Sequence, residues 1–117
     1  MSDPVPDDVR NLIRQHIDSV TQLETLLFLR ANPNENWKVA SIAERLYAPE
    51  PEIGYALARL CEQGFLAREN DSYRYECSGE HRLIVDRLAR AYSRHLVPLT
   101  NFIHGKSRDC RRFFSVP

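Results

Sequence analysis

The chain of 117 residues carries 16 Lys+Arg against 16 Asp+Glu, and 43% of its residues are hydrophobic. This length suits one domain with a sizeable core, and the mixed composition, with 4 Gly and 7 Pro, excludes a disordered or fibrous protein. The zero net charge is unusual for a protein that binds nucleic acid, because such proteins usually carry a basic excess that displaces counterions from phosphates.

The elements predicted from apolar spacing, caps and turn residues are mostly helices. Overlapping capping boxes at 19–24 start a buried helix, Pro51 is well placed to open another, and Gly64 is well placed to end it. In chain order we predict helices at about 9–16 and from 19–24 to 32, a short strand at 37–39, helices at 39–46 and 51–63, a β-hairpin of strands 65–69 and 73–77, and a long helix from 78 to about 104.

The predicted hairpin turns at Asn70-Asp71-Ser72. Its alternation places Phe65 and Ala67 on the same phase as three residues of the return strand, Tyr73, Tyr75 and Cys77.

The order and spacing of the elements at 19–77 resemble those of a winged helix-turn-helix. Two features carry the resemblance: the helix pair "WKVASIAERL" and "EIGYALARLCEQGFLAR", and the exit Leu60, Gly64, Phe65, Leu66 that leads into the strand "YRYEC". With a helix before and a long helix after, the chain resembles small MarR-like bacterial regulators, and also small uncharacterised proteobacterial winged-helix proteins.

This resemblance implies a mainly α, α+β fold in four segments. They are an N-terminal extension with a short helix (1–18), the winged helix-turn-helix (19–77), a C-terminal dimerisation helix (78–105) and a basic, aromatic tail (106–117).

In such a fold the second helix of the pair enters the DNA major groove. The candidate DNA contacts are Ser41 and Arg45 on the first helix, Tyr55 and Arg59 on the second, and Arg68 and Arg74 on the hairpin. The opposing reading is a solvated surface: Glu50 and Glu52 occupy the helix end that would attract phosphate, the hairpin tip is acidic and polar, and the hairpin arginines have glutamates nearby.

The C-terminal helix carries a wide apolar stripe, which favours a homodimer over folding back onto its own domain. The candidate interface residues are Ile84, Leu88, Ala91, His95, Leu99 and Phe102, with Phe113 and Phe114 from the tail, and Pro98 is expected to kink or divide the helix. The opposite face, Arg82, Arg87, Arg90 and Arg94, either follows phosphates or is solvated. The basic tail either packs on a partner subunit or contacts an acidic partner or nucleic acid.

Catalysis, cofactors and metals are not expected. The sequence has no nucleophile elbow, zinc-protease motif or Gly-rich phosphate loop, its four histidines are dispersed, and its three cysteines form no C-x-x-C pair. No segment approaches the ~18 consecutive apolar residues of a membrane span and the N-terminus is not a secretory signal, so we expect a cytoplasmic protein without a membrane partner.

Three functions remain open at this point. The leading hypothesis is a homodimeric transcriptional regulator that binds double-stranded DNA. The alternatives are a winged-helix module that binds another protein, and a small-molecule sensor whose pocket lies between the dimer helices, near Trp37, Tyr92 and His95.

Overall fold

The structure is a computed structural model that describes residues 5–96, 99–101 and 103. It is mainly helical with a small three-stranded antiparallel sheet, which confirms the α+β, mainly α prediction. The elements are α1 (Asp7–His16), α2 (Val20–Ala31), β1 (Trp37–Lys38), α3 (Val39–Leu46), α4 (Glu50–Glu62), β2 (Leu66–Glu69), β3 (Ser72–Tyr75) and α5 (Gly79–Arg94).

The chain divides into two compact units. Residues 21–81 form one, which we call the central unit, and the described residues before 21 and after 81 form the other, which we call the terminal unit. Within the part of the chain that the structure describes, no helix is long and apolar enough to cross a membrane.

The sheet of the central unit has the strand order β1-β3-β2. β3 pairs with β1 through Trp37 opposite Tyr73, and with β2 from Leu66 opposite Tyr75 to Glu69 opposite Ser72. The return strand of the hairpin, β3, therefore occupies the centre of the sheet, and α3 and α4 lie between β1 and β2 in the chain.

Two helix ends of this unit use the left-handed backbone region. α4 ends in a Schellman motif: Gly64 has φ +85°, its N–H donates to the Cys61 carbonyl, and the Phe65 N–H donates to the Leu60 carbonyl over 3.0 Å. α3 ends at Tyr47 with φ +55°, although residues with a Cβ rarely adopt this conformation. The predicted role of Gly64 is therefore confirmed, whereas that of Tyr47 was not anticipated.

Apolar side chains from every helix of the central unit are buried. They are Leu23, Leu26 and Leu29 of α2, Ile42 and Ala43 of α3, and Ile53, Ala56, Leu57 and Leu60 of α4, joined by Phe65, Leu66 and Tyr73 of the hairpin region. Thr25 is buried as well, and its hydroxyl donates to the Thr21 carbonyl one turn earlier over 2.7 Å, which satisfies its hydrogen-bonding requirement.

The terminal unit contains α1 and most of α5. Its buried apolar residues lie on both helices and just beyond them: Val5, Val9, Leu12, Ile13 and Ile17, then Val85, Leu88 and Ala91, then Leu99 and Ile103. An ion pair joins the guanidinium of Arg87 on α5 to the carboxylate of Asp8 on α1.

The predicted helix 78–104 is interrupted. α5 ends at Arg94, His95 is not helical, and helical residues follow at 96, 99–101 and 103. Proline has no N–H and its ring clashes with the carbonyl four residues earlier, which for Pro98 is that of Arg94. Pro98 itself lies outside the described residues, but the expected division of the helix is found.

Candidate functional site

The outer face of α4 is exposed and acidic. Ile53, Ala56, Leu57 and Leu60 point into the core, which leaves the other side of the helix in solvent. Tyr55 on that side is 63% exposed, and Glu52, one turn before it, and Glu62, two turns after it, are exposed as well, as is Glu50 at the start of the helix. This face therefore offers one aromatic side chain with a carboxylate on either side of it along the helix.

The two arginines predicted to contact DNA from the helices have partners within the protein. The Nη1 of Arg59 lies 3.5 Å from a carboxylate oxygen of Glu62, one turn further along α4. The guanidinium of Arg45 lies 5.7 Å from the ring centre of Trp37, a cation–π distance. Ser41 on α3 is exposed.

The hairpin arginines do not form one phosphate clamp. Arg68 lies opposite Tyr73 and Arg74 lies opposite Ala67, so their side chains leave opposite faces of the hairpin. The predicted phase is wrong for Ala67, which shares the face of Arg74 rather than that of Tyr73 and Tyr75.

Each hairpin arginine also has its own contacts. Arg68 donates through Nε to the Asn70 carbonyl over 3.0 Å, and its guanidinium lies 5.7 Å from the ring centre of Tyr73. Arg74 forms an ion pair of 3.5 Å with Glu76. These contacts hold the cations close to the hairpin surface.

Tyr47 is a surface feature that the sequence analysis missed. Its side chain is 96% exposed, and it occupies the turn between α3 and α4 in a left-handed conformation. At this exposure the ring adds almost no packing to the core, so the left-handed backbone is not offset by burial of the side chain. Glycine and asparagine, the residues that usually take the left-handed conformation at a helix end, are absent from the end of α3. That absence is the one trace of this conformation in the sequence.

Charge is separated between the two units. The central unit, residues 21–81, has six basic and ten acidic residues, a net charge of −4. The remainder of the sequence has ten basic and six acidic residues, a net charge of +4. The unit that carries the predicted DNA contacts is therefore the acidic one.

The centre of the predicted dimer stripe is already buried in the single chain. Leu88 and Leu99 are 0% exposed and Ala91 is 5% exposed, so these three residues are not available to a partner subunit. Ile84 and His95 are half-buried. Phe102, Phe113 and Phe114 lie outside the described residues.

Two cysteines of the central unit are free thiols in partly buried surroundings. Burial raises the pKa of the Cys61 thiol, and the Cys77 thiol donates to the Phe65 carbonyl over 3.3 Å. In the described part of the chain, no three His, Cys, Asp or Glu residues group closely enough to hold a metal ion.

The three residues predicted to lie near a small-molecule pocket are divided between the two units. Trp37 belongs to the central unit, where its ring meets that of Phe28 edge-on at 4.8 Å, and Tyr92 and His95 belong to the terminal unit.

Comparison with known proteins gave no match to a family model, a curated sequence or a solved structure.

Proposed function

We propose that residues 21–81 form a winged helix-turn-helix domain, and that the chain is a DNA-binding transcriptional regulator that acts as a homodimer. The observation that carries the proposal is the topology: the strand order β1-β3-β2 with α3 and α4 inserted between β1 and β2. A winged helix has this order, and its second helix of the pair keeps one face free for the major groove.

In this proposal α4 is the helix that enters the groove. Arg59 reads a guanine edge and Tyr55 contacts a thymine methyl or a phosphate, while Ser41 and Arg45 of α3 approach the DNA backbone. The Arg59–Glu62 pair does not prevent this, because an exposed ion pair contributes about 0–1 kcal/mol, whereas a bidentate arginine–guanine contact is worth about 1–3 kcal/mol.

The hairpin contributes less than the sequence analysis expected. Since Arg68 and Arg74 leave opposite faces, only one of them can meet a given phosphate. One winged-helix domain would then make few phosphate contacts and bind DNA weakly. Two domains on one duplex would double those contacts, and we propose a homodimer for this reason. Leu96, 49% exposed, is an apolar side chain just beyond the end of α5 that is available for that contact.

The test is selection of bound duplexes from a random-sequence pool, followed by binding measurements on the selected duplex. We expect Arg59→Gln to weaken binding to it by about 1–3 kcal/mol. Arg82→Gln is the matched control, because it removes the same charge from an exposed position in the terminal unit. Failure to enrich any duplex, or equal losses in the two variants, contradicts base reading by α4.

A second candidate function is a protein-interaction module, and the charge of the central unit favours it. A net charge of −4, with three exposed glutamates on α4, fits a basic protein segment better than a phosphate backbone. Tyrosine is also frequent among residues that dominate binding energy at protein interfaces.

The double variant Glu50→Gln/Glu52→Gln separates the two functions because its effects have opposite signs. Removing two negative charges from the start of α4 strengthens DNA binding by relieving repulsion, and weakens binding to a basic protein partner. Circular dichroism controls for the fold, since carboxylates in the first turn stabilise a helix by about 0.3–1 kcal/mol each.

A further inference from the structure

In the terminal unit, α1 and α5 border a surface cavity of about 330 Å³. Arg87, Arg90 and Arg94 of α5 line it, and Pro6 and Asp8 line it from the start of α1. This volume is at the lower end of the range for small-molecule sites, which is about 300–1,000 Å³.

The three arginines share one side of α5. Their spacing of three and then four residues places successive side chains one turn apart, with Cβ atoms about 5–6 Å from each other. Ala91 lies on the same side and also lines the cavity, although almost none of its surface is exposed. The aliphatic parts of the arginine side chains lie around it.

The cavity has a surplus of positive charge. Asp8 accepts a hydrogen bond from Arg87 and holds that guanidinium in place, and this contact also keeps the pKa of the Asp8 carboxyl below its usual value. The side chains of Arg90 and Arg94 have no ion pair or hydrogen bond with another residue in the described ranges. The residues that line the cavity therefore include three guanidinium groups and one carboxylate, a charge of +2 for the lining itself.

We propose that this cavity binds a phosphate group carried by a small molecule. A phosphate monoester has a charge of about −1.5 to −2 at neutral pH, which matches the surplus. The planar guanidinium groups of Arg90 and Arg94 donate paired hydrogen bonds to its oxygens, and Asp8 acts as a positioning residue for Arg87. Pro6, which is exposed, and the aliphatic stems of the arginines give the organic part an apolar contact surface.

This site is independent of DNA binding by the central unit, because its lining residues all belong to the terminal unit. The experiment is a titration of the isotopically labelled full chain with ribose 5-phosphate and, separately, with inorganic phosphate, followed by amide NMR shifts at constant ionic strength. We expect saturable shifts at residues 6–8 and 87–95.

The double variant Arg90→Gln/Arg94→Gln should weaken phosphate binding at least about tenfold, because each lost charged hydrogen bond contributes substantially. Arg82→Gln, an exposed arginine of the same helix outside the cavity, should change the affinity less than about twofold. Both variants replace exposed side chains, and their amide spectra report whether the fold is intact.

Tighter binding of ribose 5-phosphate than of inorganic phosphate supports an organic phosphate as the occupant, and equal affinities support free phosphate. The proposal is overturned if neither titration saturates, if the double variant binds as well as the original chain, or if Arg82→Gln loses as much affinity. Duplex DNA is titrated as a further comparison. If it shifts the same amides and neither phosphate displaces it, the arginines bind nucleic acid and the proposal is overturned.

Discussion

Leu88 is 0% exposed in the single chain, so replacing it with alanine tests whether the α5 stripe belongs to the core or to a subunit interface. Leu88→Ala removes fully buried methyl groups and leaves a cavity, and such changes cost about 2–5 kcal/mol. Because a domain of this size is stable by only about 5–15 kcal/mol, the variant should lose roughly a third of its free energy of unfolding. With a urea slope of about 1–3 kcal/mol/M, the unfolding midpoint falls by roughly 1–3 M.

Leu83→Ala is the matched control. It makes the same chemical change on the same helix, but Leu83 is 61% exposed, so its effect on the free energy of unfolding should stay within about 0.5 kcal/mol. Urea denaturation is followed at two protein concentrations that differ about tenfold, since an interface residue makes stability depend on protein concentration. The reasoning is refuted if the loss caused by Leu88→Ala appears only at the higher concentration, or if it equals that of Leu83→Ala.

Tyr47→Gly should raise the free energy of unfolding by up to about 1 kcal/mol and Gly64→Ala should lower it by about 1–2 kcal/mol, because a Cβ is strained at the left-handed backbone of both positions. Thermal denaturation measures both, and shifts of the same sign would contradict this account. Asp8→Asn should destabilise the chain near neutral pH, because the hydrogen bond from Arg87 holds the pKa of Asp8 below its unfolded value. That stabilisation is present above the unfolded pKa of about 3.9 and is lost as the pH falls through the folded pKa, so the difference from the original chain should vanish in acid. A difference that does not change with pH would argue against the ion pair.

Signals within a few residues of each other were sufficient to predict both ends of α4. Pro51 lies in the first turn of α4, and Gly64 ends the same helix with the positive φ that only glycine adopts without strain. The turn at 70–71 likewise follows from Asn-Asp chemistry. Such signals depend on the backbone alone, so they hold without knowledge of the tertiary structure.

The hairpin phase could not be predicted because Phe65, Leu66 and Ala67 are consecutive and apolar. Alternation then allows two registers that differ by one residue, and each exposes a different face. In the structure Phe65 and Leu66 are both buried, and Leu66 rather than Ala67 faces the tyrosines of the return strand. Only pairing with the neighbouring strand decides between the registers.

The burial of the α5 stripe and the arginine cavity depend on contacts that are distant in sequence. Periodicity identifies an apolar face but not what covers it, so Leu88 and Leu99 looked like surplus surface although they lie inside the chain. Asp8 and Arg87 are 79 residues apart, and nothing local to either residue indicates the pair.

The carboxylates of α4, rather than the contacts of its arginine, decide between the two proposed functions. Arg59 can exchange its exposed bond to Glu62 for a stronger bond to a base, so that pair lowers DNA affinity without abolishing it. Glu50 and Glu52 gain no replacement contact when DNA binds. They lie in the first turn, where the positive end of the helix would otherwise attract a phosphate. A protein that reads DNA with α4 must therefore keep the first turn away from the backbone, whereas a basic protein partner would be drawn to it.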